Sequence, residues 1–159
     1  AAFLPDLYDY QTDAVITDSA YLQDNTYFES LKKILTKYVD QGNVVLMGRG
    51  GNLILKDRKE VFNIGIIANL EKRKELVSLE KSINLEEAEE QLVIADRARI
   101  DRYRRLFGIE NCDDPMHYDI VINTGCMDID SCVDVAVNAT NNFTTSLNSS
   151  KSPTRYSVI

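Results

Sequence analysis

Three uninterrupted apolar runs, each of strand length, most constrain what this chain can become. They are Asn43-Val-Val-Leu-Met-Gly48, Val61-Phe-Asn-Ile-Gly-Ile-Ile-Ala68 and Asp119-Ile-Val-Ile-Asn-Thr124. A strand with one wet face alternates apolar and polar residues, whereas a run that is apolar throughout reads as a strand covered on both faces. Helical periodicity fills the intervals. From Thr26 to Val39, Phe28, Leu31, Ile34 or Leu35, and Tyr38 recur at helical spacing. Asn25 or Thr26 can cap that start, and Gly42 lies just past the end. Helical stretches follow from Leu70 to about Ser82 and from Leu85 to about Phe107. Asp128 to about Ala139 forms a last amphipathic helix, with Ile129, Cys132, Val133 and Ala136 or Val137 on one face. Buried strands alternating with helices predict an α/β domain in which a parallel sheet carries helices on both sides.

The two ends differ from this middle. Residues 1–25 read as an irregular segment with room for a strand or a short helix, and with one β-leaning run, Asp13-Ala-Val-Ile-Thr17. Eleven of the fifteen residues 138–152 are Asn, Ser or Thr, so little apolar surface is left to offset ordering entropy. That predicts a flexible polar tail over 140–159 behind an α/β domain over 26–139. The tail holds N-x-S/T matches at Asn138, Asn142 and Asn148. Ala1-Ala2-Phe3-Leu4-Pro5 lacks the basic-then-apolar order of a signal peptide, so the matches read as products of composition.

Bulk properties narrow the function classes. A net charge of −7 argues against a general nucleic-acid binder, which needs a basic surface. No apolar run approaches the roughly 18–20 residues of a membrane span. Cys112, Cys126 and Cys132 are odd in number and lack C-x-x-C spacing, so reduced thiols in a cytoplasmic protein are expected, without a disulfide framework or zinc site. No clustered Asp, Glu and His set suggests a tight metal site. The lone histidine, His117, has no identifiable Ser or Cys partner and reads as structural.

Two segments carry chemistry. The first, Leu46-Met-Gly-Arg-Gly-Gly-Asn52, directly follows an apolar run. In open α/β sheets ligands bind beyond the carboxyl ends of the strands, where glycines let backbone amides approach an anion. Arg49 adds a planar fork suited to phosphate, although a plain glycine turn with a surface arginine would look the same. No G-x-x-x-x-G-K-[ST] occurs in the chain. The second segment is Asp96-Arg-Ala-Arg-Ile-Asp-Arg-Tyr-Arg-Arg105, which holds five of the nine arginines and none of the equally numerous lysines. On a helix Arg97, Asp101, Arg104 and Arg105 share one side, while Arg99, Arg102 and Tyr103 share another. A solvated helix laced with ion pairs is the alternative. The exclusive use of arginine, the better residue for bidentate phosphate contacts, favours a phosphate clamp. Arg73, in Leu70-Glu-Lys-Arg-Lys-Glu75, lies one turn into the helix after the second run, and Asp57, Arg58 and Lys59 read as a charged helix end or turn.

Four segments in order resemble the cytidylate-kinase-like family of P-loop nucleoside-monophosphate kinases. They are Val45-Leu-Met-Gly-Arg-Gly-Gly-Asn-Leu-Ile-Leu-Lys-Asp-Arg58, Ile64-Gly-Ile-Ile-Ala-Asn-Leu-Glu-Lys-Arg73, Asp96 to Gly108, and Tyr118-Asp-Ile-Val-Ile-Asn-Thr124. The resemblance covers about Tyr27 to Val137. It implies a three-layer fold around a five-stranded parallel sheet, and phosphoryl transfer from ATP, with Mg²⁺, to a nucleotide such as CMP. In that picture Arg49 and Arg73 lie around the acceptor, with Tyr103 as a further substrate contact. Arg99 and Arg104 act as catalytic arginines of the lid that closes over the phosphates.

The family's first strand, phosphate loop and following helix are expected to lie before Ala1, which leaves the sheet without its central strand. Either the strands near Asn43–Met47 and Phe62–Ala68 close up, or the Asp13–Thr17 run or another chain fills the gap. Three readings follow. The chain is part of a kinase completed elsewhere, and inactive without a P-loop. Or it is a degenerate relative, a pseudoenzyme that binds a nucleotide or a protein partner at an open sheet edge, self-association included. Or it is a scaffold used in assembly without any ligand. None of them involves nucleic acid or a membrane.

Overall fold

A computed structural model of the chain describes residues 2–3 and 20–149. The elements in order are β1 (Ala2–Phe3), α1 (Ala20–Gln41), β2 (Val44–Val45), α2 (Gly51–Ile54), β3 (Ile64–Ile67), α3 (Leu70–Lys81), α4 (Leu85–Phe107), a 3₁₀ turn (Pro115–His117), β4 (Ile120–Asn123) and α5 (Ile129–Asn148). The fold is α/β with parallel strand pairing. The Asp13–Thr17 run and residues 150–159 lie outside the described residues.

The helices begin and end where local chemistry directs. Asn69 accepts a hydrogen bond from the Lys72 N–H at 2.8 Å and starts α3. Asn84 and Glu87 form a reciprocal capping box at the start of α4, and Gly108, at φ 67°, ends it. Only three residues separate α3 from α4, so the two pack as a helical hairpin. Along α1 the choice between Ile34 and Leu35 falls to Leu35, which is buried while Ile34 is exposed. Helix α1 begins at Ala20, earlier than Asn25 or Thr26, since Ala20, Leu22 and Gln23 favour helix and no Gly or Pro interrupts 20–25.

The strands are shorter than their apolar runs. Asn43 at φ 51° and Gly48 at φ 66° are left-handed and bound the first run, within which only Val44–Val45 forms a ladder. That pair lies parallel to β1, in register Ala2 with Val44 and Phe3 with Val45. The second and third runs pair parallel from Ile64 with Ile120 to Ile67 with Asn123. The Asn63 N–H donates to Asp119 Oδ2 at 2.7 Å and locks that register.

Three expectations need correction. The first is narrowed, since the described residues of 1–25 supply β1 and the first turn and a half of α1. Coverage on both strand faces is also missing among the described residues. Val45, Met47, Ile66 and Ile67 are all exposed, and β2 and β3 belong to separate two-stranded sheets rather than closing up.

The third concerns the polar tail, because α5 continues to Asn148 through its Asn/Ser/Thr stretch. The hydroxyls of Thr140, Thr144, Thr145 and Ser146 each donate to the carbonyl four residues earlier, at 2.8–2.9 Å. Phe143 stacks on Phe62 with ring centroids 4.8 Å apart, which supplies the apolar contact that composition alone does not suggest. Further towards the start of α5, Cys132 is buried, and Leu35, Leu55, Ala88, Leu92, Tyr103, Cys112 and Ile122 are the other buried apolar residues.

Candidate functional site

The glycine-rich segment is shaped by three consecutive left-handed residues, Gly48 at φ 66°, Arg49 at φ 58° and Gly50 at φ 70°. Glycine is required at the third for a steric reason as well. A Cβ on Gly50 would stand 2.5 Å from Cζ of Phe107, so the ring at the end of α4 rests directly on the loop backbone. Phe107 also meets Phe28 of α1 edge-on at 5.7 Å and Tyr103 at 5.4 Å. Two residues after Gly50, in α2, Asn52 Oδ1 lies 3.4 Å from the Tyr103 hydroxyl, while Asn52 Nδ2 is buried without a hydrogen-bond partner. The segment carrying Arg49 is thus seated against the C-terminal turns of the arginine-rich helix.

The arginines of that helix divide by face. Arg97, Asp101, Arg104 and Arg105 point outward, whereas Arg99 and Arg102 are half-buried and Tyr103 is buried. Arg99 places both terminal nitrogens on Asp113, at 2.5 Å to Oδ1 and 2.9 Å to Oδ2. Arg73, one helix away, makes the same bidentate contact to Asp96 at 2.7 and 2.9 Å. Asp96 in turn stands 3.7 Å from Arg99. Charges therefore alternate along Arg73, Asp96, Arg99 and Asp113, and tie α3, α4 and the segment after α4 together.

These contacts set the ionisation of the cluster. The Arg99 guanidinium holds the Asp113 carboxyl below the usual aspartate range, and burial opposes that shift only in part. Asp113 likewise raises Arg99, and Asp96 raises Arg73. Behind them Cys112 is buried and its thiol is pushed up by desolvation, offset partly by Arg99. The Tyr118 hydroxyl donates to the Cys112 carbonyl at 3.2 Å, and the Tyr118 ring lies under Gly65 of β3.

Of the residues singled out from sequence, the structure brings Arg73, Arg99 and Tyr103 to one side of α4, with the Arg49 segment beside Tyr103. Arg104 is not among them. It sits on the outward face, where Glu110 accepts from its Nε and Nη2 at 2.7–3.0 Å and Asp101 from its Nη1 at 3.1 Å. His117 lies in the 3₁₀ turn with Nδ1 buried and unpartnered. Arg58 bridges Asp40 and Glu60, a link between the end of α1 and the turn after α2. Sequence reasoning missed Asp96, Asp113 and Asn52 as members of the site. The i,i+3 spacing of Asp96 and Arg99 was a readable signal; the pairing with Asp113, from beyond the helix, had none. All three cysteines are free, and among the described residues no three His, Cys, Asp or Glu side chains converge as a metal centre would require.

Residues 3–126 match the model of the cytidylate kinase-like family. The chain belongs to that family. Its ancestry is accordingly that of the nucleoside-monophosphate kinases. The chain is 29% identical over 117 residues to a cytidylate kinase of Methanocaldococcus jannaschii, covering 72% of this chain and 65% of that protein. It is 30% identical over 99 residues to a cytidylate kinase of Methanothermobacter thermautotrophicus, covering 58% and 61%. A protein named uronate isomerase in Corynebacterium glutamicum is 34% identical over 109 residues, covering 69% of this chain but only 20% of that protein. The chain thus spans less than two thirds of the length of each of these relatives. No solved structure matches it.

The Gly50 contact gives a direct test of how the loop is seated. Gly50→Ala places a Cβ against the Phe107 ring at a left-handed φ, and should destabilise the chain by about 2–4 kcal/mol in urea denaturation. Wild-type stability in that variant would show that the ring does not rest on the loop.

Proposed function

We propose that this chain supplies the acceptor and lid half of a nucleoside-monophosphate kinase. In this reading it holds the phosphate of a CMP-like nucleotide through Arg73, Arg99 and Tyr103, with Arg49 beside them. The observation that carries it is the arrangement of two guanidinium forks from different helices, joined through Asp96 on the side of α4 that also carries a buried tyrosine. A guanidinium fork matches a phosphate as it matches a carboxylate, with two parallel charge-assisted hydrogen bonds. Family membership supports the same reading.

In transfer from ATP, arginines stabilise the charge spread over the moving phosphoryl group. That catalytic role is assigned first to Arg99. Arg104 could share it only after leaving Glu110 and turning inward. Mg²⁺, when bound with ATP, neutralises charge on the phosphates, and no side chain among the described residues is assigned to it. A cytoplasmic location goes with this reading.

Calorimetric titration with CMP tests the binding. Saturable binding by the wild type, weakened about tenfold or more in Arg99→Ala, is expected from the loss of a bidentate charged contact. A wild type that shows no saturable CMP binding would overturn the reading. The 159 residues contain no G-x-x-x-x-G-K-[ST] segment, so alone they are expected not to sustain transfer. Mg²⁺-dependent ATP-to-CMP transfer by the purified chain would refute that expectation.

A second reading rests on the exposed strand residues Val45, Met47, Ile66 and Ile67. Here the chain is a non-catalytic relative whose open strands pair with a protein partner or a second copy. The complete fold would then be the three-layer parallel sheet of the P-loop type, its first, central strand supplied between β2 and β3. Sedimentation equilibrium tests self-pairing, and a monomer mass up to tens of micromolar removes it.

A further inference from the structure

We propose that Asp113 is an internal stand-in for phosphate, a carboxylate that occupies the Arg99 fork until a phosphate monoester or free phosphate displaces it. The inference rests on the phosphate-binding reading above and adds how that site is held when empty and what opens it. Arg73 and Arg99 face Asp96 and Asp113 in contacts of 2.5–2.9 Å, so the two positive charges are already matched by two negative ones. A phosphate dianion entering beside both carboxylates would meet like charge at short range, which is costly in a partly desolvated site. One carboxylate must withdraw.

The structure assigns that movement to Asp113. Asp96 sits in the middle of α4, and both its oxygens are held by Arg73, with Arg99 at 3.7 Å. Asp113 lies beyond the end of α4, and its side chain is 48% exposed, against 30% for Asp96. Its main chain is anchored on both sides, on the far side by Asp114, whose Oδ1 accepts from the Met116 N–H at 2.9 Å. The Asp113 N–H donates to Asn111 Oδ1 at 3.2 Å, and Cys112 is buried under the Tyr118 hydroxyl. The carboxylate can therefore turn into water without unpacking the segment that bears it. Displacement exchanges one bidentate oxyanion for another on the same fork, so the fork stays planar, charged and aimed. Asp96 keeps its place and acts as a positioning residue that holds Arg73 and Arg99 at a fixed separation, and Arg73 meets the phosphate through the guanidinium N–H groups that Asp96 does not take.

The test titrates the full chain with inorganic phosphate and, separately, with CMP, after thermal melting confirms that each variant is folded. Asp113→Asn and Asp113→Ser both remove the competing charge and should bind about two- to fivefold more tightly, the range expected for a half-exposed ion pair. Glu60→Gln, which removes one negative charge from the pair with Arg58, should leave affinity unchanged. In the wild type, the carboxyl ¹³C signal of Asp113 should shift as ligand saturates. A gain with both ligands, or with CMP alone, supports the proposal and tells whether free phosphate or only the nucleotide competes. If the wild type binds and Arg99→Ala does not, yet neither Asp113 variant binds more tightly, the stand-in is overturned while the phosphate reading stands. Equal tightening in Glu60→Gln also overturns it, as a general charge effect. Failure of wild type and Asp113 variants alike to bind either ligand overturns both.

Discussion

The described structure turns on one contact, the Phe107 ring lying on the backbone of Gly50 where no side chain fits. Around that ring meet Phe28 from α1 and Tyr103 from the preceding turn of α4. Aromatic rings bury much area in well-defined orientations, so a single residue here fixes the relative placing of a long helix, a loop and a second helix. Within the loop after β2, the Gly51 N–H also donates to the Gly48 carbonyl at 3.1 Å. Three successive left-handed residues are unfavourable in isolation for any residue but glycine, and Arg49 is the one that is not. Its conformation persists because the glycines on either side accept the turn and because the ring fixes the loop from above.

A second layer of order is electrostatic and is built on the first. Once α4 is placed, Arg99 and Asp96 lie on the side facing α3 and the segment following α4, and the bidentate contacts to Asp113 and from Arg73 close the set. Each charge in the set has an opposite neighbour, so neither helix carries an uncompensated ion in a half-buried place. The outward face of the same helix shows the contrast. Arg104 and Glu110 pair across solvent, where such contacts contribute little.

Much of this was legible in the sequence because local chemistry and tertiary packing agree. Helix α4 spans Leu85–Phe107 as its periodicity indicates, with Asn84, Glu87 and Gly108 marking both ends. Strands β3 and β4 fall inside their apolar runs, trimmed where the pairing stops. The grouping of Arg99 with Tyr103 on one face, apart from Arg104, also follows from helical geometry. What escaped was decided by contacts between distant residues. The tail of α5 is polar by composition, yet its hydroxyls are satisfied within the helix and Phe143 finds Phe62 eighty-one positions earlier. Strand β1 is two residues long and exists through its pairing with Val44 and Val45. Asp113 carries no mark that separates it from Asp114, and only the fold puts it on Arg99.

The matched charges of the arginine cluster bear on how an anion would reach it. Two arginines balanced by two aspartates have no net charge, so their field fades within a few ångströms rather than extending outward. Around them lies a protein of net charge −7. A phosphate-bearing molecule diffusing in from bulk solution would meet overall repulsion and feel the guanidinium groups only at contact. Association would then be slow relative to an electrostatically steered encounter, and added salt would quicken arrival instead of hindering it. The paired arginines Arg73 and Arg99 would in this respect behave kinetically as though they were absent.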